Sequence, residues 1–178
     1  CSISKLFTSI AVMQQRDAGK LDLDDPVAKH LPWFRIKGAE AGSPPVTVRG
    51  ILTHSSGLPR ESDFPYWTGP AYAFPPRDKV IERVGEQEML YRSDLNYQYS
   101  NLGLSLAGEI AAATSGVAYP EYVRTRILDP IGLKDTETEH LDKHRGGRLA
   151  SGYTAPRRDG SRERVPPYEV RGIAPAAT

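Results

Sequence analysis

The 178 residues are 39% hydrophobic and 25% charged, ordinary proportions for a globular chain with one core. With 23 Lys and Arg against 22 Asp and Glu the net charge is +1, which provides no general electrostatic attraction to nucleic acid or to a membrane surface. The single cysteine, Cys1, excludes an intrachain disulfide and a cysteine metal cluster, and no apolar run is long enough to span a bilayer.

The first helix is predicted to open at Ser2. Ile3, Leu6, Phe7, Ile10 and Met13 recur at three- and four-residue spacing, Ala11 fits the same stripe, and Gly19 supplies a stop. Ser2 and Lys5, at i and i+3, then share a face at the helix N-terminus, where unpaired N–H groups favour negative charge developing on an oxygen. Such a pair is a nucleophile beside its activator. The same residues also suit an N-cap followed by a solvated first-turn lysine.

Asp24 and Asp25 ahead of Pro26 predict the cap and first-turn proline of a short helix through His30, ended by Leu31-Pro32. Gly42-Ser43-Pro44-Pro45 reads as a linker. Thr47 is expected to cap a short helix holding Val48, Ile51 and Leu52, broken at Ser55-Ser56-Gly57. The proline-rich stretch 59–78 carries Phe64, Tyr66, Trp67, Tyr72 and Phe74 and reads as an ordered aromatic loop, either surface packing or a wall of a substrate pocket.

A further amphipathic helix is predicted from Asp78 to Glu88, with Val80, Ile81 and Val84 on one face. Leu102 to Thr114 is apolar and rich in small residues, including Gly103, Ser105, Ala107, Gly108 and Ala111, so a buried central helix is expected, ended by Gly116. Pro120 opens the next helix, through Leu128. Beyond Asp135 the chain turns polar, and Arg157, Arg158, Arg162, Arg164 and Arg171 read as a solvated loop or hairpin rather than a basic binding patch.

Tyr99-Ser100-Asn101, just ahead of the central helix, is a second set of groups able to serve Ser2. A serine hydroxyl needs a proton acceptor at the moment of attack. Lys5 can take the proton directly where burial favours the neutral amine, or its charge can favour the Tyr99 phenolate, which then takes it. His140 and His144 have helical metal-ligand spacing without a third ligand, so no metal site is expected. His54 invites a Ser-His-Asp reading, but no Gly-x-Ser-x-Gly elbow accompanies it.

Taken in order, Ser2-Ile3-Ser4-Lys5-Leu6-Phe7-Thr8, Gly19-Lys20-Leu21-Asp22-Leu23-Asp24-Asp25-Pro26-Val27, Ile51-Leu52-Thr53-His54-Ser55-Ser56-Gly57-Leu58 and Tyr99-Ser100-Asn101-Leu102-Gly103 resemble the serine β-lactamase and penicillin-binding-protein superfamily. The later blocks Ile127-Leu128-Asp129-Pro130-Ile131-Gly132-Leu133-Lys134-Asp135-Thr136 and Ser151-Gly152-Tyr153 are similar too. Within the superfamily the nearest likeness is to the class C β-lactamase, D-alanyl-D-alanine carboxypeptidase and esterase branch.

The resemblance implies an α+β, β-lactamase/transpeptidase-like fold, a helical lobe packed on a mixed lobe with an antiparallel sheet. Residues 1–178 would be a partial β-lactamase-related domain, chiefly the helical lobe, without the N-terminal strands and the C-terminal third motif, Lys-Thr-Gly or His-x-Gly. His144-Arg145-Gly146 is not that motif, since no apolar alternation surrounds it. Ser93-Asp94-Leu95-Asn96 has one residue too many for a Ser-Asp-Asn motif. Cys1, directly before the first block, reads as the edge of a fragment or a small buried residue beside the site rather than a lipid anchor.

The resemblance further implies that Ser2 is the nucleophile, Lys5 and Tyr99 its catalytic partners, and Asn101 a substrate-binding residue that also orients Lys5. The expected substrate is a small molecule or peptidoglycan-like compound with an activated carbonyl: a β-lactam, a D-alanyl peptide or a small ester. No metal and no organic cofactor is implied. One oxyanion donor would be the Ser2 N–H and the other would lie on the third-motif strand, so this chain alone is expected to be impaired. Family likeness favours a periplasmic or extracellular setting. The contrasting reading is a non-catalytic binding or assembly protein that keeps the scaffold, and the oligomeric state stays open.

Overall fold

The computed structural model describes residues 2–38, 42–63, 67, 72–139, 147, 149–165 and 170–177. Cys1, Phe64, Tyr66, the His140–His144 pair and the His144-Arg145-Gly146 stretch lie outside them. In chain order the helices are α1 (Ser4–Asp17), α2 (Val27–His30), α3 (Val48–Leu52), α4 (Arg77–Val84), α5 (Asn101–Ser115), α6 (Tyr119–Val123) and α7 (Ala174–Ala177). A wide π-type turn, Arg124–Leu128, extends α6, and a 3-10 turn, Arg171–Ile173, leads into α7. Among the described residues β structure is confined to the isolated bridges Pro26–Thr47, Lys37–Glu88 and Tyr153–Arg164, and no helix is long and apolar enough to cross a membrane.

The central element is α5. Ser100 caps it, its hydroxyl accepting from the Gly103 N–H at 2.9 Å, and Gly116 ends it at φ +73°, a left-handed conformation that glycine adopts without side-chain strain. Leu102, Leu104, Leu106, Ala107, Ile110 and Ala111 are all buried, as expected for a helix with apolar residues around most of its circumference. Helices α1 and α7 both pack against it. At Gly108 a Cβ would collide with the ring of Pro175, so this glycine lets α7 approach.

Helix α1 differs from its prediction in two respects. Ordered helix begins at Ser4, although Ser2 and Ile3 already curve into it and the Lys5 N–H donates to the Ser2 carbonyl at 3.2 Å; no side chain caps it. Its fully buried face is also only partly the apolar stripe, of which Ala11 is buried and Phe7 and Ile10 are half-buried against the core. Ser4, Lys5, Thr8, Ala11, Val12 and Gln15 are buried, whereas Ile3 and Leu6 are 75% and 59% exposed. The cause is polar pairing. The Thr8 hydroxyl meets the Tyr119 phenol at 2.7 Å and the Pro175 carbonyl at 2.5 Å, and the Gln15 amide donates to the Tyr122 phenol at 2.6 Å. Such partners lower the desolvation cost of a buried polar face, although Gln15 Oε1 is buried without a hydrogen-bond partner.

Elsewhere local chemistry follows the expected lines with shifted ends. Thr47 caps α3, accepting from the Gly50 N–H at 3.0 Å. Asp25 does not cap α2. Its carboxylate takes the Asp22 N–H at 2.9 Å, Lys29 at 2.6 Å and His30 at 2.8 Å, binding loop to helix. Helix α4 stops at Val84, earlier than Glu88, with Gly85 at its end. Phe74 is in the core and meets Trp67 edge-on, centroids 5.0 Å apart. Residues 153–164 form the expected exposed hairpin, with the Thr154 N–H on the Glu163 carbonyl at 2.9 Å and Gly160 at φ +80°.

Candidate active site

Three elements converge on one point. The turn leading into α1 presents Ser2, the first turn of α1 presents Lys5, the segment entering α5 presents Tyr99, and α5 opens with Asn101. Ser2 Oγ lies 2.7 Å from Tyr99 Oη. Lys5 Nζ donates to Asn101 Oδ1 at 2.7 Å, to the Ala176 carbonyl of α7 at 2.6 Å, and more weakly to Ser2 Oγ at 3.4 Å. The four predicted site residues are thus brought together, though their roles are a separate matter.

Lys5 is 9% exposed, so its charge must be met by partners inside the protein. An ammonium has three N–H donors, and here each has an acceptor. Lys5 Nζ stands 3.4 Å from Ser2 Oγ. The shorter contact of the serine is with the phenol.

Burial alone pushes the Tyr99 phenol up. The contact with Lys5, the hydrogen bond with Ser2 and the positive charges of Lys5 and Arg60 together outweigh it, and the phenol is held below its ordinary value of 10.0. Both cations lie against the ring, Lys5 Nζ at 4.8 Å and the Arg60 guanidinium at 4.9 Å from its centroid.

Asn101 is fixed at both ends. Its backbone N–H donates to the Arg60 carbonyl at 2.8 Å, and its side-chain Nδ2 donates to Glu61 Oε1 at 2.7 Å. The amide oxygen is thereby turned to Lys5, and the second N–H of Nδ2 is the donor left for a ligand.

Sequence reasoning did not single out Arg60, Glu61 or the Ala176 carbonyl. Arg60 and Glu61 lie one residue beyond the Ile51–Leu58 block, after Pro59, which was the available signal. A main-chain carbonyl has none. The Ser93-Asp94-Leu95-Asn96 stretch is structural: Ser93 donates to the Ser56 carbonyl at 3.2 Å, and Asp94 accepts from Ser55 at 3.1 Å.

Described residues outside these four also line cavities. One, about 220 Å³, is lined by Ile3, Ser4, Phe7, Tyr119, Val123 and Thr136 along α1. The other, about 380 Å³, is lined by Phe34, Ile36, Pro45, Met89 and Tyr91 and includes none of Ser2, Lys5, Tyr99 or Asn101. Among the described residues no group of three or more His, Cys, Asp or Glu is placed to hold a metal ion.

The family model described as Beta-lactamase matches residues 1–178. Beta-lactamase-like protein 2 of Dictyostelium discoideum is 33% identical over 142 residues, covering 79% of this chain and 26% of its own length. The D-alanyl-D-alanine-carboxypeptidase/endopeptidase AmpH of Escherichia coli is 30% identical over 135 residues, covering 76% of this chain and 35% of its own. A crystal structure of a D-stereospecific amidohydrolase from Streptomyces superposes with a TM-score of 0.78 at 25% identity, over 97% of this chain and 54% of that one. The helical architecture described above is accordingly that of the β-lactamase/transpeptidase-like fold.

Proposed function

This chain belongs to the beta-lactamase family, and we propose on that footing that Ser2 is the nucleophile of a serine hydrolase working through an acyl-enzyme. The observation that carries the reading is the 2.7 Å contact of Ser2 Oγ with a phenol held below its ordinary acidity range. As Oγ attacks the substrate carbonyl carbon, its proton passes to Tyr99 Oη. Lys5, donating to Asn101, Ala176 and Ser2, stabilises the phenolate by its charge and is not itself the base. Tyr99 then returns the proton to the leaving nitrogen or oxygen as that bond breaks, leaving an ester on Ser2. A water that gives its proton to Tyr99 attacks the ester, and Ser2 recovers its proton as the acid leaves. The remaining Asn101 N–H is placed to bind the acyl-side amide oxygen of the substrate.

The substrate class is an activated carbonyl, with amides ranked above small esters. Support comes from the relatives' names, a D-alanyl-D-alanine carboxypeptidase/endopeptidase and a D-stereospecific amidohydrolase. Residues 1–178 are read as the helical part of such a domain. Because they span only part of those relatives' length, the acylation step, rather than steady-state turnover, is the one to follow.

The test is the rate at which the chain is acylated by a β-lactam, a D-alanyl thioester and an activated short-chain ester. Labelling that is fastest with the first two and abolished in Ser2→Ala supports the reading. Equal labelling of Ser2→Ala overturns it.

A further inference from the structure

Tyr99 is gripped from one side by a single residue. His54 follows α3 and Thr53 at φ 59°, in the left-handed region that few non-glycine residues occupy. Its carbonyl accepts the Gln98 N–H at 2.7 Å and its ring Nδ1 accepts the Ser100 N–H at 3.1 Å. Those two N–H groups flank Tyr99 in the chain. The imidazole itself stacks on the Tyr99 ring, centroids 4.6 Å apart and tilted by 32°, and Tyr97 meets it edge-on at 5.8 Å.

We propose that His54 is a positioning residue for Tyr99, holding the phenol at Ser2 through its carbonyl, its Nδ1 and its ring, and that it does so only as the neutral imidazole with its proton on Nε2. A ring nitrogen that accepts a backbone N–H carries no proton of its own. Protonation would set an Nδ1–H against the Ser100 N–H and break that bond. Ser100 is also the α5 cap, so the disturbance would reach the start of the helix that carries Asn101.

The charged and titratable surroundings agree with a neutral ring. Lys5 faces it from α1, Arg60 lies over the Tyr99 ring against which His54 stacks, and Tyr97 and Tyr99 are phenols in contact with it. Asp94 is held nearby by Ser55, whose hydroxyl donates to its carboxylate. Burial first, and then the charge of Lys5, hold the imidazole below its ordinary value of 6.5. The clamp is therefore closed at neutral pH and opens in acid.

The kinetic consequence rests on the reading of Tyr99 as the proton carrier, whereas the clamp itself does not, and the experiment separates the two. Tyrosine 13Cζ and histidine 15N resonances are followed from pH 8 downward in the full chain, with Tyr99 assigned by its loss in Tyr99→Phe. The proposal expects His54 as the Nε2–H tautomer and a Tyr99 resonance that moves with the His54 titration. In parallel, acylation by a β-lactam is measured for the wild type and for His54→Asn. Asparagine tolerates left-handed backbone and keeps an acceptor for Ser100, but it lacks the ring and the titration.

The variant is expected to acylate about tenfold more slowly, since small misplacement of a reacting group carries penalties of this order. The reagent concentration giving half the maximal rate should be unchanged. The steepened fall of rate with acid expected of the wild type should vanish. A folded His54→Asn with wild-type rate, wild-type acid limb and unchanged Tyr99 resonance overturns the proposal. If the wild type is not acylated at all, the hydrolase reading fails, yet a Tyr99 resonance that follows His54 still supports the clamp and one indifferent to His54 overturns it. If the variant does not fold, the wild-type titration decides by the same two outcomes.

Discussion

Ser2 Oγ and Tyr99 Oη, 97 positions apart in the chain, share a 2.7 Å hydrogen bond, shorter by a clear margin than the 3.4 Å separating Ser2 Oγ from Lys5 Nζ. On the proposed reading it is the phenol that takes the serine proton. Tyr99→Phe should lower the acylation rate by on the order of 10²–10⁴-fold, the range for losing a positioned general base. A base is active when deprotonated, so the wild-type rate should rise with pH through a midpoint below 10.0, where the lowered phenol titrates. Acylation rates over a pH series check both the size and the midpoint.

Arg60 is the second cation on the Tyr99 ring, and its side chain is 62% exposed. Arg60→Ala removes positive charge from beside the phenolate, so the rising limb should move to higher pH and the neutral-pH rate should fall. An exposed cation–π contact of about 0.5–1 kcal/mol corresponds to roughly a threefold loss. The difference between wild type and variant should shrink as salt is raised, because the Arg60 charge is screened.

Gly108 and Gly116, at the middle and the end of α5, respond differently to alanine. At Gly108 the new methyl would strike Pro175, displacing α7 and with it the Ala176 carbonyl that holds Lys5. Overpacking of about 1–3 kcal/mol then exceeds the helix-propensity gain of about 1 kcal/mol, and both thermal midpoint and acylation rate should drop. Gly116, at φ +73°, has open space around it. There the strain of about 1–2 kcal/mol lowers the midpoint and leaves acylation untouched. Thermal melts and labelling rates of the two variants separate the effects.

Acid stability should depend on Asp25. The Asp22 N–H first, then Lys29 and His30, hold its carboxyl well below the ordinary value of 3.8, against burial that pushes it up. A depressed carboxyl contributes stability that is present above its unfolded value and is lost as pH falls towards the folded one. His54, kept neutral in the fold, adds a loss of stability that sets in as pH falls below 6.5. Asp25→Asn should flatten the wild-type decline of thermal midpoint below pH 3.8, and His54→Asn should flatten the part between that value and 6.5.

What the sequence made legible was whatever is encoded locally. Helix α5 was expected over Leu102–Thr114 and runs Asn101–Ser115, because its apolar run and Gly116 are contiguous signals. The Thr47 cap is likewise local. Ser2 and Lys5 were readable from residue type and spacing, Tyr99 and Asn101 from blocks that resemble a known family, and the fold places the four together. The buried face of α1 was not readable, since it is decided by Tyr119, Tyr122 and Pro175, between 107 and 167 positions away. Nor could any pattern mark the Ala176 carbonyl, a group every residue carries. Arg60 and Glu61 acquire meaning only because the turn at Gly57, where a Cβ would strike the Tyr91 carbonyl, brings them to Tyr99 and Asn101.

The central claim is that Ser2 forms the acyl-enzyme. Prolonged exposure of the folded chain to a β-lactam, followed by intact mass and peptide mapping, tests it most directly. The account predicts one adduct per chain, mapped to the peptide containing Ser2, absent from Ser2→Ala and greatly slowed in Tyr99→Phe. An adduct that persists undiminished in Ser2→Ala would contradict it.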